Sequence, residues 1–164
     1  MDKQKTHNQY KRDVHNLDIM ILCDHLVSPS NIGGVFRLAD AYGVEEVAFV
    51  SENTTTLSPK IKAVSRGTQN FVKYRFFKDY SIIDEQIDRL WICLEITENS
   101  LPLTSLESLE GKVGIIIGNE SKGVSPDLIK YFPAYHLKMF GNNSSMNVAN
   151  SLSAMLFYLT QVIK

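Results

Sequence analysis

The stretch at residues 113–150, VGIIIGNESKGVSPDLIKYFPAYHLKMFGNNSSMNVAN, decides the fold of this chain. It opens with a continuous apolar run that ends in a glycine-bounded loop at residues 119–123. Ser125-Pro126 then places a capping residue before a proline, which suits the first position of a helix. A buried strand, a tight turn and a capped helix in this order are typical of an open α/β sheet, whose ligands lie beyond the carboxyl ends of the strands.

The same alternation continues through the rest of the chain. The predicted strands are residues 19–23, 46–50, 72–77, 91–96, 113–118 and a short one near 136–137. The predicted helices are residues 30–41, 59–65, 81–90, 126–131 and 145–163. Several strands are continuous apolar runs, which predicts a mostly parallel sheet with helices on both faces. Residues 1–16 are polar and predict a loose arm, so that residues 17–164 form a single domain.

The last predicted helix is apolar on most of its circumference. A terminal helix of this kind has to be buried on more than one side. A second subunit packed against residues 145–163 is one way to bury it, and Leu159 is then expected to face outward. The alternative is a helix held centrally within its own monomer.

The composition is ordinary for a globular protein, with 44% apolar and 21% charged residues among 164. No apolar run is long enough for a membrane span, and the N-terminus lacks a signal-peptide core. Cys23 and Cys93 lie in apolar runs without a CxxC spacing, which predicts free thiols in a reducing cytoplasm. The four histidines are scattered without metal-ligand spacing, so no metal is expected. They are His7, His15, His25 and His136.

The charges are unevenly distributed although the net charge is only −1. Residues 59–78 contain six basic side chains and no acid, whereas residues 82–110 contain seven acids and only Arg89 as a base. This asymmetry suggests one side that faces a polyanion. Two ordinary solvated faces are the alternative.

The glycine-bounded loop belongs to neither of the two commonest nucleotide sites. It lacks the Gly-Lys-Ser/Thr of a P-loop and the GxGxxG of a dinucleotide fold. Earlier in the chain, Gly33-Gly34 cost a helix about 1 kcal/mol each, which close approach of another backbone or a ligand would justify. Arg37 follows among apolar residues, which predicts a partly buried side chain that needs an anionic or planar partner. A phosphate is one candidate, and Glu120 or Asp40 is the alternative.

Three motifs in this order resemble the SpoU family of the SPOUT superfamily. Asn31-x-Gly33-x-x-x-Arg37 is similar to the first motif, and Ile117-Gly-Asn-Glu-Ser-Lys-Gly123 is similar to the second. Met139-x-Gly141 followed by Ser145-Met-Asn-Val-Ala149 is similar to the third. Ser65-Arg-Gly-Thr68 looks most like the transfer-RNA guanosine 2′-O-methyltransferase type. The chain departs from the family at Lys138, where proline is usual, and in Ser-Ser-Met-Asn where Gln-Ser-Leu-Asn is usual.

The resemblance implies an α/β fold whose C-terminal part forms a deep trefoil knot, although knots are nearly absent from proteins. It implies methyl transfer from S-adenosyl-L-methionine to a ribose 2′-hydroxyl of RNA, with S-adenosyl-L-homocysteine as product and tRNA favoured over rRNA. Family members are homodimers whose sites use both subunits, which fits a dimer through the C-terminal helix. The rival interpretation is a knotted module that binds cofactor or RNA without catalysis.

The resemblance also assigns residues. The cofactor pocket would comprise Leu94, Glu95, Gly118, Leu137, Met139 and Met146. The catalytic set would comprise Asn31, Arg37, Glu120, Ser145 and Asn147. With the charge distribution, it places Lys60, Lys62 and Arg66 against the RNA backbone, together with Lys3, Lys5, Lys11 and Arg12 of the arm. Asn147 is of special interest, because capping alone does not explain a polar side chain two residues into so apolar a helix.

Overall fold

A computed structural model describes residues 13–52 and 55–163 of the chain. The four basic residues predicted to contact RNA from the arm lie outside the described residues. The strands are β1 Asp18–Asp24, β2 Glu46–Val50, β3 Lys73–Phe77, β4 Leu90–Leu94, β5 Leu101–Pro102, β6 Lys112–Ile117 and β7 Ala134–His136. The helices are α1 Pro29–Ala41, α2 Pro59–Ser65, α3 Ser81–Glu85, α4 Pro126–Tyr131 and α5 Val148–Phe157, which continues as a π-helix over Tyr158–Val162.

The strands form one seven-stranded sheet in the order β3-β2-β1-β6-β4-β7-β5. Every strand pair is parallel. The loops that follow the strands therefore all leave from the same edge of the sheet. This edge is where an open α/β sheet holds its ligands.

Helices cover both faces of the sheet, as the continuous apolar strands predict. Alternate residues of β1 point to opposite sides, so that Ile21 packs in one core cluster and Leu22 in the other. The first cluster joins the sheet to α1, α2 and α5, and the second joins it to α3 and α4. The predicted mostly parallel, doubly covered sheet is confirmed.

Most elements lie where the sequence predicts them, and β2, α2 and α4 match residue for residue. The third helix is shorter than predicted, ending at Glu85 instead of residue 90. Beyond it the chain turns so that the buried Arg89 donates to the carbonyl oxygens of Asp18 and Val113, at 2.6 and 3.0 Å. These bonds tie Arg89 to β1 and β6. A helix that continued to residue 90 would not place Arg89 there.

The C-terminal helix is buried mainly by its own chain. Its core residues are Leu152, Met155, Leu156 and Leu159. Leu159 is only 2% exposed, so the expectation that it faces outward is wrong. The exposed apolar side chains of this segment are Phe157 and Val162, at 53% and 51%. The apolar surface left for a second subunit is therefore smaller than the sequence suggests.

The remaining bulk features concern thiols, membranes and metals. Cys23 and Cys93 are buried and free, and burial raises the pKa of the Cys93 thiol to about 12. Within residues 13–52 and 55–163, no helix is both long and apolar enough to cross a membrane. The same residues contain no cluster of His, Cys, Asp or Glu that could hold a metal ion. The cytoplasmic location stays a prediction.

Candidate active site

A cleft of about 880 Å³ opens at the carboxyl edge of the sheet. It lies between the loops that follow β4, β6 and β7 and the beginnings of α1 and α5. Ten of the predicted cofactor and catalytic residues line it: Leu94, Glu95, Gly118, Leu137, Met139, Met146, Asn31, Glu120, Ser145 and Asn147. Arg37 and the predicted RNA-binding residues Lys60, Lys62 and Arg66 do not. The fold thus brings the three motifs together at one cleft. The roles of the individual residues stay predictions.

The loop after β6 is a closed turn that forms one wall of the cleft. Asn119 and Gly123 exchange backbone hydrogen bonds of 3.0 and 2.9 Å, and the Asn119 Oδ1 accepts the N–H groups of Ser121 and Lys122. A Cβ on Gly118 would lie 2.1 Å from the carbonyl carbon of Gly123, so only glycine fits here. Gly123 itself has a φ of +71°, in the left-handed region that favours glycine.

Two neighbouring strand ends hold this turn in position. The Asn119 Nδ2 donates to the backbone oxygen of His25, just beyond β1, at 2.7 Å. The Val124 N–H donates to the Glu95 carboxylate at 2.8 Å, and the Ile96 N–H donates to its other oxygen at 2.9 Å. Glu95, predicted as a cofactor residue, therefore also fastens the turn to the end of β4.

A chain of side-chain hydrogen bonds joins all three motifs at the mouth of the cleft. The Glu120 carboxylate accepts from the Asn31 Nδ2 at 2.9 Å and from the N–H groups of Ser28 and Val27 at 2.9 and 3.2 Å. The Asn31 Oδ1 in turn accepts from the Asn147 Nδ2 at 2.9 Å. Asn31 is thereby fixed in one orientation, with its amide nitrogen and its oxygen both used.

Asn147 has a structural explanation that the sequence does not reveal. The last helix begins at Val148 instead of residue 145, and Asn147 is its N-cap. Its Oδ1 accepts the backbone N–H of Ala149 at 3.0 Å. The expectation that capping cannot explain this residue is wrong, because the same side chain caps α5 and binds Asn31.

The electrostatics of the network favour an ionised Glu120. Burial by itself raises the pKa of this carboxyl, but the hydrogen bonds from Asn31, Ser28 and Val27 outweigh burial and lower it below the ordinary value of 4.5. Glu120 is therefore a carboxylate at neutral pH. Its carboxylate is hydrogen-bonded to Asn31 of the first motif and to the two backbone N–H groups just before α1.

Arg37 lies outside the cleft within its own chain. The expectation of a partly buried side chain is wrong, since Arg37 is exposed and binds neither Glu120 nor Asp40. It lies seven residues after the cleft residue Ser30 on the same face of α1, which is about 10 Å along the helix axis. Glu120 therefore positions Asn31 and not Arg37.

The glycine pair of the first motif serves helix packing. A Cβ on Gly33 would lie 2.6 Å from the Cβ of Val64 in α2, and one on Gly34 would lie 3.2 Å from the Cβ of Ala149 in α5. The close approach that the sequence predicts is thus made by two neighbouring helices. It fixes α1, and with it Asn31, against α5.

The basic segment divides into paired and unpaired side chains. Lys60, Lys62 and Arg66 are exposed on α2 and at its end. Lys73 and Arg75, by contrast, both bind the buried Glu46. They neutralise a carboxylate within the chain, so the charge available to an outside polyanion is smaller than the sequence suggests.

Sequence reasoning missed a buried carboxylate next to the cleft. Asp24, at the end of β1, accepts from the Tyr80 hydroxyl at 2.8 Å, the Ser125 N–H at 2.7 Å and the His25 Nδ1 at 2.7 Å. It fastens the end of the cleft turn to β1 and to the segment before α3. An acid that ends a long apolar run was the available signal.

Fold and cleft together define a parallel α/β protein with a ligand site made by three loops at the carboxyl edge of its sheet. The model of the SpoU rRNA Methylase family matches residues 18–157, and the chain belongs to that family. A putative TrmH family tRNA/rRNA methyltransferase of Staphylococcus epidermidis is 29% identical over 161 residues, which cover 96% of this chain and 61% of the relative. The chain thus spans about three-fifths of the length of the curated relatives it matches.

Solved structures share the fold. An AdoMet-bound rRNA methyltransferase from Sinorhizobium meliloti has a TM-score of 0.79 at 21% identity, over 88% of this chain and 57% of that one. A structure described as giving insights into the 2-OH methylation of C/U34 on tRNA has a TM-score of 0.75 at 21% identity, over 87% and 93%. The SpoU-type fold is therefore confirmed, and the expected C-terminal knot is implied by it.

Proposed function

We propose that this chain transfers a methyl group from S-adenosyl-L-methionine to a ribose 2′-hydroxyl of RNA, with tRNA as the preferred substrate. The observation that carries the proposal is the hydrogen-bonded chain Glu120–Asn31–Asn147. It joins the three family motifs at the mouth of one cleft, where a substrate hydroxyl could meet a bound cofactor.

The residues of the cleft fit this cofactor. The cleft volume lies within the ordinary range for small-molecule sites. Apolar side chains line part of it and suit the planar adenine: Leu94, Leu137, Met139 and Met146. When bound, the cofactor supplies an electrophilic methyl group on a sulfonium. The rigid turn at residues 119–123 contributes backbone groups that can hold its polar edge.

Positioning of the hydroxyl is the main task left to the protein. In-line transfer depends on holding the nucleophile against the methyl carbon. The second amide protons of Asn31 and Asn147 would hydrogen-bond the ribose, and Ser145, exposed in the cleft, would fix the loop beside it. Arg37 would bind the adjacent phosphate with its planar fork, because a guanidinium does not give up its proton in proteins. The proton of the hydroxyl would pass to that phosphate or to a water.

We also propose a homodimer through the C-terminal helix, which would complete the site. Within one chain Arg37 is exposed and about two helical turns from the cleft residue Ser30. The exposed Phe157 and Val162 offer an apolar surface on the helix that packs against α1. A twofold pair using the same patch on both partners would cover it and bring the partner's Arg37 towards the cleft.

The RNA backbone would lie along α2. Lys60, Lys62 and Arg66 are exposed and form no ion pair with any residue that the structure describes, in contrast to Lys73 and Arg75. Exposed lysines and arginines on one element supply the sequence-independent part of RNA affinity.

Two measurements separate this function from the binding module. Isothermal titration with S-adenosyl-L-methionine should show one site per chain, and labelled methyl groups should then pass to bulk cellular RNA. Binding without transfer would support the module instead. This comparison is informative because the chain departs from the family pattern close to the predicted cofactor residues Met139 and Met146. The departures are Lys138 and Ser144-Ser145-Met146-Asn147.

A further inference from the structure

His136 has its ring fixed by a hydrogen-bond cluster next to the cleft. The side chain lines the cleft at the end of β7 and is half-buried. Its Nδ1 lies 2.9 Å from the Ser100 Oγ, whereas Ser100 itself does not line the cleft. The Nδ1 edge of the ring is therefore occupied by Ser100, which leaves Nε2 as the ring nitrogen that can meet a ligand in the cleft.

The protons around Ser100 decide the tautomer. Its Oγ makes three contacts of 2.9 Å, with the Thr97 N–H, the Thr97 backbone oxygen and the His136 Nδ1. Each contact needs one proton, because two lone pairs at this distance repel. The Thr97 amide supplies one and the serine hydroxyl donates one to the Thr97 oxygen. The third proton has to be on Nδ1 of His136.

A neutral His136 held in this way presents Nε2 as a hydrogen-bond acceptor. Nε2 makes no hydrogen bond to any residue that the structure describes, so it is open to a donor on a bound ligand. Leu137 follows directly in the sequence and lines the same apolar part of the cleft.

We propose that His136 accepts a hydrogen bond from the adenosine part of the cofactor, and that Ser100 is the positioning residue that sets its tautomer. This inference rests on the proposed cofactor. The donor on adenosine is either the exocyclic amine or a ribose hydroxyl. Both present a proton to the same acceptor, and analogues that lack one or the other distinguish them.

The tautomer can be tested without any cofactor. Long-range ¹⁵N–¹H correlation spectra of the wild-type protein should show His136 protonated on Nδ1 in its neutral form. Ser100→Ala should weaken that preference. A wild-type His136 protonated on Nε2 would overturn the inference, whatever the protein binds.

Binding to S-adenosyl-L-homocysteine tests the contact. Loss of one hydrogen bond predicts a roughly tenfold weaker Kd for His136→Ala. His136→Gln, whose amide oxygen can accept, should retain part of the affinity. His15→Ala is the matched control, since His15 binds the Tyr42 backbone oxygen and lies outside the cleft. S-inosylhomocysteine lacks the exocyclic amine, and a ribose-deoxy analogue lacks a ribose hydroxyl. With the analogue that lacks the true donor, His136→Ala should cause no further loss of affinity.

The outcomes separate the two proposals. A wild-type protein that binds neither the methionine nor the homocysteine form contradicts the proposed function. A wild-type protein that binds both, with His136→Ala unchanged, contradicts only the role of His136. A full additional loss with every analogue would also contradict it, because the histidine would then act through the fold and not through the ligand.

Discussion

At the scale of single residues, polar side chains that line the cleft are hydrogen-bonded to each other, whereas Arg37 lies outside it and has no such partner among the described residues. Glu120, Asn31 and Asn147 use their polar atoms on each other. Arg37, by contrast, is exposed and makes no hydrogen bond or ion pair with any residue that the structure describes. An unpaired guanidinium in the first motif is available to an RNA phosphate.

Arg37→Ala should therefore leave folding and cofactor affinity unchanged while lowering methyl transfer by roughly 100-fold or more, because the hydroxyl loses its orientation. Arg37→Lys should also fail, since an ammonium lacks the planar fork. Asp40→Ala on the same exposed helix end is the control and should remain active. Single-turnover assays alongside titration calorimetry measure both quantities, and normal turnover in the alanine variant would refute the assignment.

Asp24 gives a prediction for stability and pH. Burial raises the pKa of this carboxyl, but bonds from His25, Ser125 and Tyr80 lower it below its ordinary value of 3.8. The ionised form is thus favoured by folding. Its contribution is fully present above pH 3.8 and is lost as the pH falls through the lower folded pKa.

Asp24→Asn should lower the free energy of unfolding at neutral pH by about 2 kcal/mol and remove this acid-dependent component. Asp127→Asn is the control, because Asp127 is exposed in the first turn of α4. Urea unfolding from pH 7 down to pH 2 measures the difference, because the contribution is lost only below pH 3.8. Parallel pH profiles for wild type and Asp24→Asn would show that the carboxylate does not stabilise the fold in this way.

The sequence predicts the cleft better than it predicts the position of each side chain. Ten predicted site residues meet because the carboxyl ends of parallel strands share one edge, which periodicity and glycine placement already indicate. Arg37 was placed wrongly because its exposure depends on where α2 and α5 cross α1. Asp24 was missed because its partners are 56 and 101 residues away.

At the scale of elements, the turn after β6 depends on glycine. Gly118→Ala should destabilise the protein by about 3 kcal/mol and abolish cofactor binding, since its Cβ would collide with the Gly123 backbone. Gly141→Ala is the matched control, because a Cβ there meets nothing within 4 Å. Thermal unfolding of both variants checks the contrast, and equal stabilities would mean that the turn adapts.

The sequence predicts a C-terminal helix that is buried on more than one side, and the structure divides its apolar surface between the monomer core and solvent. Leu159 belongs to the monomer's own core, whereas Phe157 and Val162 are exposed. Periodicity shows how much of a helix is apolar but not which part its own sheet covers. The crossing of α1 and α5 at Gly34 and Ala149 decides this.

At the scale of the whole molecule, the proposed dimer separates two substitutions on that helix. Phe157→Glu should yield a folded monomer that lacks methyl transfer, because a charge would face the partner. Leu159→Glu should unfold the chain instead, since it places a charge in the core. Light scattering and circular dichroism distinguish them. An active wild-type monomer at the assay concentration would contradict the dimer.

The uneven charge predicts a salt dependence for RNA binding. Replacing Lys60, Lys62 and Arg66 by glutamine should weaken binding and reduce the slope of log K against log salt by about 2, since each phosphate contact contributes about 0.7–0.9. Lys112→Gln is the control, because Lys112 pairs with Asp88 at 2.7 Å at the opposite end of the sheet. An unchanged slope would mean that α2 is merely solvated.

The central claim is that one cleft brings a methyl donor and a ribose hydroxyl together. In the most direct test, the purified protein is incubated with cellular RNA and S-adenosyl-L-methionine that carries a deuterated methyl group. The RNA is then digested to nucleosides, whose masses are measured by mass spectrometry. The proposed function predicts a deuterated 2′-O-methylnucleoside, concentrated in the tRNA fraction and absent with Arg37→Ala. Label on a base, or no label on any RNA by a protein that binds the cofactor, would contradict it.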